Sequence, residues 1–348
     1  MNDSTIVRRL RRGFAAITRA QRPFSWVLCC WLSSQAVFAE PFARAFEFSP
    51  KYPTGSTYMH IRLLGALQLP SVTSTGESVA ELSDLAWDED AQVLYAISDG
   101  GALFQFRPQF KNERLVGLDF LSKHALQDQK GRALRGVHAD AEGLDIEGAR
   151  NGTPSDTRLT VSFERITRVV RYTPEGKWIE AVKIPEELRA KKAFRSPNKG
   201  LEAFTYYQPT QWLASPEWPR TDAATSHHEL FSPTGRRVTF RRHPAKSSAL
   251  VAISPLPNQK VLTLERSYDS ATASVVIALR VLPPASQWSP HREVEAPLIA
   301  EFNSFGDWFI DNFEGLTRHQ GNRFFIVSDD NENIFQKTLL VYFEVIEP

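Results

Sequence analysis

The chain has 348 residues, of which 42% are hydrophobic and 23% are charged, and its formal net charge is +1. This composition is that of a globular protein and excludes collagen, low-complexity disorder and a disulfide scaffold. The balanced charge argues against a nucleic-acid-binding protein, whose folded part normally carries a basic excess. Phe (23) and Trp (8) are frequent whereas Met (2) is rare, which favours β-structure.

Residues 1–39 have the pattern of a secretory signal peptide. Six arginines come before an uncharged apolar stretch, residues 24–39, that ends in Val37-Phe38-Ala39. A basic start, a short apolar segment and a small residue at the cleavage point define such a signal, and this stretch is short for a membrane span. We predict cleavage after Ala39, a periplasmic or secreted product and no membrane span in the mature chain. An uncleaved anchor is the alternative.

Cleavage would also remove both cysteines, Cys29 and Cys30, together with the six arginines. The mature chain, residues 40–348, would then be mildly acidic and would have no disulfide, no thiol chemistry and no cysteine-ligated metal. We expect a single folded domain held together by a large core, and a monomer.

Short apolar runs alternate with turn residues along the rest of the chain, and no stretch has sustained helical periodicity. Turns such as Asp99-Gly100-Gly101 separate the runs. This pattern is typical of an all-β sandwich, barrel or propeller. The runs are residues 93–97, 103–106, 159–163, 169–172, 250–253, 261–264, 275–282, 324–327 and 339–345.

An acidic residue opens successive units of the chain and reveals a repeat. Glu81, Glu142, Glu202 and Glu314 lie 61, 60 and 112 residues apart, and the last spacing spans two units, the middle one without an anchor. A repeat of about 60 residues with four strands indicates a β-propeller. We count five blades and expect residues 61–69 to complete the last one and close the ring. Six blades remain the alternative, if residues 123–139 or 286–312 contain another.

Further acids follow the second strand of most units, and we expect the carboxylates to converge at one mouth of the central channel. So many carboxylates cannot all stay ionised together without cations, and oxygen ligands suit Ca²⁺ or Mg²⁺. The predicted catalytic residues are Glu142, Glu164, Glu202, Glu265, Glu314 and Asp329. The predicted metal ligands are Glu81, Asp99, Asp140, Glu217 and Asp330. Arg165, Lys199 and Arg266 are predicted to bind an anionic substrate group, because arginine forks match phosphate and carboxylate.

Other interpretations weaken individual assignments. A carboxylate before a glycine often caps backbone N–H groups in a turn. In Glu164-Arg165 and Glu265-Arg266, adjacent strand residues point to opposite faces, so both members cannot face the channel. His227-His228 could bind a metal, but we expect a solvated loop there. The chain has no Gly-x-Ser-x-Gly, phosphate-cradling Gly-rich or His-Glu-x-x-His motif.

Six sequence blocks, in their order along residues 60–345, together resemble the phytase-like family, also called the "esterase-like activity of phytase" domain. The blocks are Ser98-Asp99-Gly100-Gly101, Asp140-Ala141-Glu142-Gly143-Leu144, Asn198-Lys199-Gly200-Leu201-Glu202-Ala203, Leu264-Glu265-Arg266-Ser267, Asn312-Phe313-Glu314-Gly315-Leu316 and Ser328-Asp329-Asp330-Asn331. The resemblance implies an exported bacterial β-propeller that hydrolyses phosphate or other esters. The motifs of the calcium-dependent propeller phytases are not found. Asp84 departs from the pattern, since it stands where a glycine is expected.

Three functions follow from these features. The first is metal-assisted hydrolysis of a small-molecule ester at the channel mouth, with Ca²⁺ or Mg²⁺ as cofactor. The second is a non-catalytic propeller that binds a ligand or partner and uses the acids to hold its blades together. The third is a lactonase-like enzyme with acids and an asparagine around one metal, for which Asn198, Asn312 and Asn331 are available.

Overall fold

The computed structural model describes residues 41–190, 192–208, 211–289 and 292–346. The predicted signal peptide and both cysteines lie outside these residues. The described part of the chain is half strand and 4% helix, and no helix in it is long and apolar enough to cross a membrane. Its one α-helix, α1 (Glu186–Arg189), is a single turn.

Antiparallel strands form five sheets. The chain begins with β1 (Arg44–Ala45), β2 (Thr57–Tyr58) and β3 (Ile61–Gln68). Blade 1 contains β4 (Leu82–Asp88), β5 (Val93–Ser98), β6 (Ala102–Lys111) and β7 (Arg114–Ala125). Blade 2 contains β8 (Ala141–Glu147), β9 (Arg158–Phe163), β10 (Arg168–Tyr172) and β11 (Trp178–Val182). Blade 3 contains β12 (Leu201–Gln208), β13 (Gln211–Pro216), β14 (His227–Phe231) and β15 (Arg237–Arg241). Blade 4 contains β16 (Ala249–Pro255), β17 (Val261–Asp269), β18 (Ser274–Leu282) and β19 (Leu298–Asn303). Blade 5 contains β20 (Asn312–Arg318), β21 (Arg323–Asp329) and β22 (Leu339–Val345).

The N-terminal strand β3 completes blade 5 and closes the ring. It pairs with β22 from Leu339↔Gln68 to Val345↔Ile61, while β1 and β2 pair with the other edge of β3. The prediction of a five-bladed propeller closed by an N-terminal strand is therefore confirmed. The six-blade alternative is wrong, because residues 286–312 contain only β19, the fourth strand of blade 4. Residues 123–139 contain the end of β7 and one 3₁₀ turn.

The core lies between neighbouring sheets, where large apolar side chains interdigitate. Between blades 5 and 1, Tyr342 and Phe325 join Phe104 and Phe106 in one cluster. All four side chains are at most 1% exposed. Burying one such side chain contributes roughly 1.5–3 kcal/mol, so the blades are held together mainly by these layers.

The first strand of each blade, β4, β8, β12, β16 and β20, lies next to its counterparts in the two adjacent blades. These five inner strands surround the central channel, and all run in the same direction along it. We call the end at which they begin the acidic mouth and the end at which they finish the far mouth.

Candidate functional site

A β-bulge near the start of each inner strand creates five equivalent positions at the acidic mouth. At each bulge the strand has one residue more than the second strand beside it. Bulges re-aim side chains and are frequent next to active sites. The residues at the bulges, which we call the bulge ring, are Ser83, Glu142, Glu202, Val251 and Glu314.

A second set of equivalent positions follows from the same strand register. Each is the residue after the one that pairs with the inner strand just before its bulge. We call this set the second-strand ring, and it consists of Asp99, Glu164, Glu217, Arg266 and Asp329. Blade 4 therefore has an arginine where the other four blades have a carboxylate.

Three acids of the bulge ring influence one another strongly. Burial and then the negative charge of Glu314 raise the pKa of Glu142 well above its usual range. Burial and then Glu142 do the same for Glu202. For Glu314, burial raises the pKa although the nearby Arg266 partly offsets this effect. Carboxylates from three separate blades thus lie close together at this mouth.

Asp140, Glu142 and Glu164 of blade 2 form the tightest group. Each offers one carboxylate oxygen, and the three oxygens lie within 4.8 Å of one another. Burial and the charge of Glu217 raise the pKa of Glu164 to about 8. No lysine or arginine of the described chain forms an ion pair with Glu142 or Glu164. The donor set is all oxygen, so these residues fit a hard cation such as Ca²⁺ or Mg²⁺ rather than zinc, which favours nitrogen and sulfur.

The positive side chains differ in how far they are already neutralised. Arg266 contacts Glu314 and also Glu217, at 3.0 Å, and donates to Asn312 Oδ1 at 2.6 Å. Lys199 pairs with the second oxygen of Glu217. Arg165 lies 3.4 Å from Asp140, and its side chain is 41% exposed. A solvent-borne anion could therefore reach Arg165 more readily than Arg266, whose side chain is 18% exposed.

Glu265 lies away from the channel, unlike the other predicted catalytic acids. Its carboxylate is fully buried beside blade 3, and accepts hydrogen bonds from Ser248 Oγ (2.8 Å) and the backbone N–H of His243 (2.7 Å). Burial would raise its pKa, but His228 and Arg280 outweigh this effect and lower the pKa to about 2. Because successive strand residues face opposite sides, Arg266 faces the channel in its place.

The expectation of a solvated loop at His227-His228 is wrong. Both residues lie in β14, and His228 is 1% exposed. Its Nε2 is 3.0 Å from Glu265 Oε2, which accounts for the buried carboxylate.

Blade 1 differs from the others, as the departure at Asp84 suggested. Ser83 takes the bulge position, so Glu81 is not equivalent to the other anchors. Burial and the neighbouring Asp99 nevertheless raise the pKa of Glu81 to about 7, which places it at the acidic mouth. Asp84 itself is 2% exposed, and accepts hydrogen bonds from the backbone N–H groups of Leu144 (2.8 Å) and Leu316 (2.9 Å). It therefore ties blade 1 to both of its neighbours.

Close packing explains the glycines that follow two of the anchors. A Cβ atom on Gly315 would lie 2.8 Å from the Cα of Asp84, and one on Gly143 would lie 2.5 Å from the carbonyl oxygen of Glu202. Both distances are too short for any side chain. The sequence motif thus reports contact between inner strands as well as a charged site.

The last two predicted residues at this mouth divide in the same way. Burial and the charge of Glu314 raise the pKa of Asp329 to about 8. Asp330 instead accepts hydrogen bonds from the backbone N–H of Glu81 (3.2 Å) and from Thr338 Oγ1 (3.0 Å). Asp330 connects two loops, whereas Asp329 faces the cluster.

The fold and the site define a five-bladed β-propeller with a cluster of carboxylates at one mouth of its channel. A family model described as phytase-like, "esterase-like activity of phytase", matches residues 77–332. The chain belongs to this family. No curated protein matches it.

Among solved structures, two are similar to the chain over most of their length. One is a gluconolactonase from Xanthomonas campestris, with 10% identity, a TM-score of 0.38, and coverage of 88% of this chain and 96% of that one. The other is U3-55K, with 7% identity, a TM-score of 0.41, and coverage of 81% and 98%. At such scores neither similarity bears on the function of this chain.

Proposed function

We propose that the acidic mouth hydrolyses a small phosphate or carboxylic ester with the help of a bound divalent cation. The single observation that carries the proposal is the group of three carboxylate oxygens from Asp140, Glu142 and Glu164 within 4.8 Å. An unneutralised cluster of this kind is costly, and a hard cation would remove the repulsion. These three residues would hold the ion. Bound in this way, a divalent cation polarises an ester oxygen and makes a water molecule more acidic.

The other residues of the mouth would bind and orient the substrate and move the proton. Glu202 lies next to Glu142, and its raised pKa suits a group that takes a proton from water near neutral pH. Arg165 would contact the anionic part of the substrate. Arg266 and Lys199 would hold Glu217 and Glu314 in place, because their charges are already paired with these acids.

Purified protein with added Ca²⁺ or Mg²⁺, assayed on a panel of phosphomonoesters and aryl esters, tests this function. We expect turnover that disappears on chelation and in the Glu142→Gln plus Glu314→Gln double variant. The matched control is Glu175→Gln, on an exposed turn of blade 2. Equal rates for the wild type and the double variant would refute the proposal.

The non-catalytic alternative is favoured by a separate observation, since several acids join blades through backbone hydrogen bonds. Besides Asp84, Glu164 accepts from the backbone N–H of Gly200 at 3.0 Å, and Asp145 accepts from Thr205 Oγ1 at 2.7 Å. A binding propeller of this kind would contain no tightly held metal, and its melting temperature would not change on chelation.

A further inference from the structure

The far mouth of the channel contains a cavity of about 500 Å³. Every inner strand contributes to its lining, through Trp87, Glu147, Tyr206, Ser254 and Arg318. Sites for small molecules have volumes of roughly 300–1,000 Å³ and combine apolar walls with a few polar groups. The cavity has this size and this composition, and the proposed function does not use it.

Trp87 provides a buried donor that lacks a partner. Its side chain is 2% exposed, and its indole N–H finds no hydrogen-bond acceptor among the described residues. Buried polar groups are nearly always paired, and leaving one unpaired costs about 1–3 kcal/mol. Because Trp87 lines the cavity, an acceptor atom of a bound ligand would meet this need.

Arg318 provides a positive charge that no carboxylate neutralises. Its Nε donates to the carbonyl oxygen of Gly321 at 2.8 Å, and no acidic residue of the described chain forms an ion pair with it. The neighbouring Arg150 donates to the carbonyl oxygen of His319 at 2.9 Å and pairs with Glu89 at 3.2 Å. Burial and then the positive charge of Arg150 lower the pKa of Arg318, so an anion here would be favourable to both.

The acids that line the same cavity already have partners. Glu147 is paired with Arg171. Asp145 accepts a hydrogen bond from Thr205 Oγ1 at 2.7 Å, and burial raises its pKa to about 6. Arg318 is therefore left as the charge that a ligand would complement.

We propose that the far mouth binds a small oxyanion, a carboxylate or a phosphate, through Arg318, Arg150 and the indole N–H of Trp87. The planar arginine fork matches both anions, and the Trp87 N–H adds a directed donor. The site needs no divalent cation, which separates it from the acidic mouth.

The indole N–H resonance of Trp87 gives a local readout in ¹⁵N-labelled mature protein. We would assign it with Trp87→Phe and titrate metal-free protein with inorganic phosphate and, separately, with acetate. We expect a saturable shift with at least one of them, and the tighter of the two identifies the ligand class. Loss of one charge-assisted contact in Arg318→Gln should weaken binding about ten- to a hundredfold. Arg318→Lys, which keeps the charge but not the fork, should fall between.

The matched control is Arg241→Gln, whose side chain is 72% exposed and which should bind like the wild type. Melting temperatures of all variants check that they fold. Two results would overturn the proposal: a Trp87 resonance that neither anion moves, or an unchanged affinity in folded Arg318→Gln. Since no metal or turnover is involved, failure here leaves the hydrolase proposal untouched, and the reverse also holds.

Discussion

Blades 2 and 4 share one backbone plan at the acidic mouth but carry opposite chemistry. Blade 2 has Glu142 at its bulge and Glu164 after its second strand, whereas blade 4 has Val251 and Arg266 at the same two positions. The repeat therefore fixes where side chains are placed, and the residue at each place decides the charge. As a result one side of the mouth concentrates negative charge and the opposite side neutralises it.

The largest effect should come from removing the cation of blade 4. In Arg266→Met, the buried Glu217 and Glu314 lose a partner, and breaking a buried ion pair on one side costs about 3–5 kcal/mol. Urea unfolding at neutral pH without divalent cations measures this loss. Adding Glu314→Gln should restore part of the stability, since one of the two orphaned charges is then gone. Arg241→Met, at an exposed site, is the control, and a similarly small loss in both variants would contradict the account.

Blade 1 should respond nearly as strongly at Asp84. Asp84→Ala leaves two buried backbone N–H groups without an acceptor, at about 1–3 kcal/mol each. Asp90→Ala is a matched control, because Asp90 also accepts from two backbone N–H groups, those of Asn151 (2.8 Å) and Gly152 (3.1 Å), but at an exposed site. We expect the free energy of unfolding to fall several times more for Asp84→Ala. Equal losses would show that Asp84 does not hold the blades together.

Metal affinity should depend on blade 2. In Glu142→Gln, the affinity for Ca²⁺, measured by calorimetry, should fall at least tenfold to a hundredfold, since even outer partners of metal ligands are worth that much. Glu175→Gln should bind Ca²⁺ like the wild type. Unchanged affinity in Glu142→Gln would place any bound cation elsewhere.

The smallest effect is a pH dependence of the metal-free protein. The pKa values of Glu164 and Asp329, about 8, exceed those of an unfolded chain, so the folded state binds more protons between these limits. Stability should therefore fall as the pH rises from 7 to about 8.5. His319, with a pKa lowered to about 4, acts in the opposite direction but only below its unfolded pKa of about 6.5. Saturating Ca²⁺ should flatten the slope of the melting temperature, and a rising slope without metal would contradict the account.

The sequence predicts the propeller well because its signals are local. Apolar runs such as residues 93–97 and the repeated anchors report strands and blades directly, and residues 61–69 were left over to close the ring. The chain cannot reveal the bulges, because one extra residue depends on the register with a neighbouring strand.

The reading frame at the mouth shows the consequence of this limit. Counting acids assigned Glu81 and Glu265 to the site, whereas the register gives the equivalent positions to Ser83 and Arg266. Asp84 stood out only as a break in the motif, and its partners, Leu144 and Leu316, lie 60 and 232 residues away. Long-range contacts of this kind leave no pattern in a single sequence.

A crystal of the mature protein grown with Ca²⁺, with an anomalous difference map, tests the central claim most directly. The account predicts one strong peak between the carboxylates of Asp140, Glu142 and Glu164. A map with no peak there, or with calcium only on exposed acids outside the channel, would contradict it.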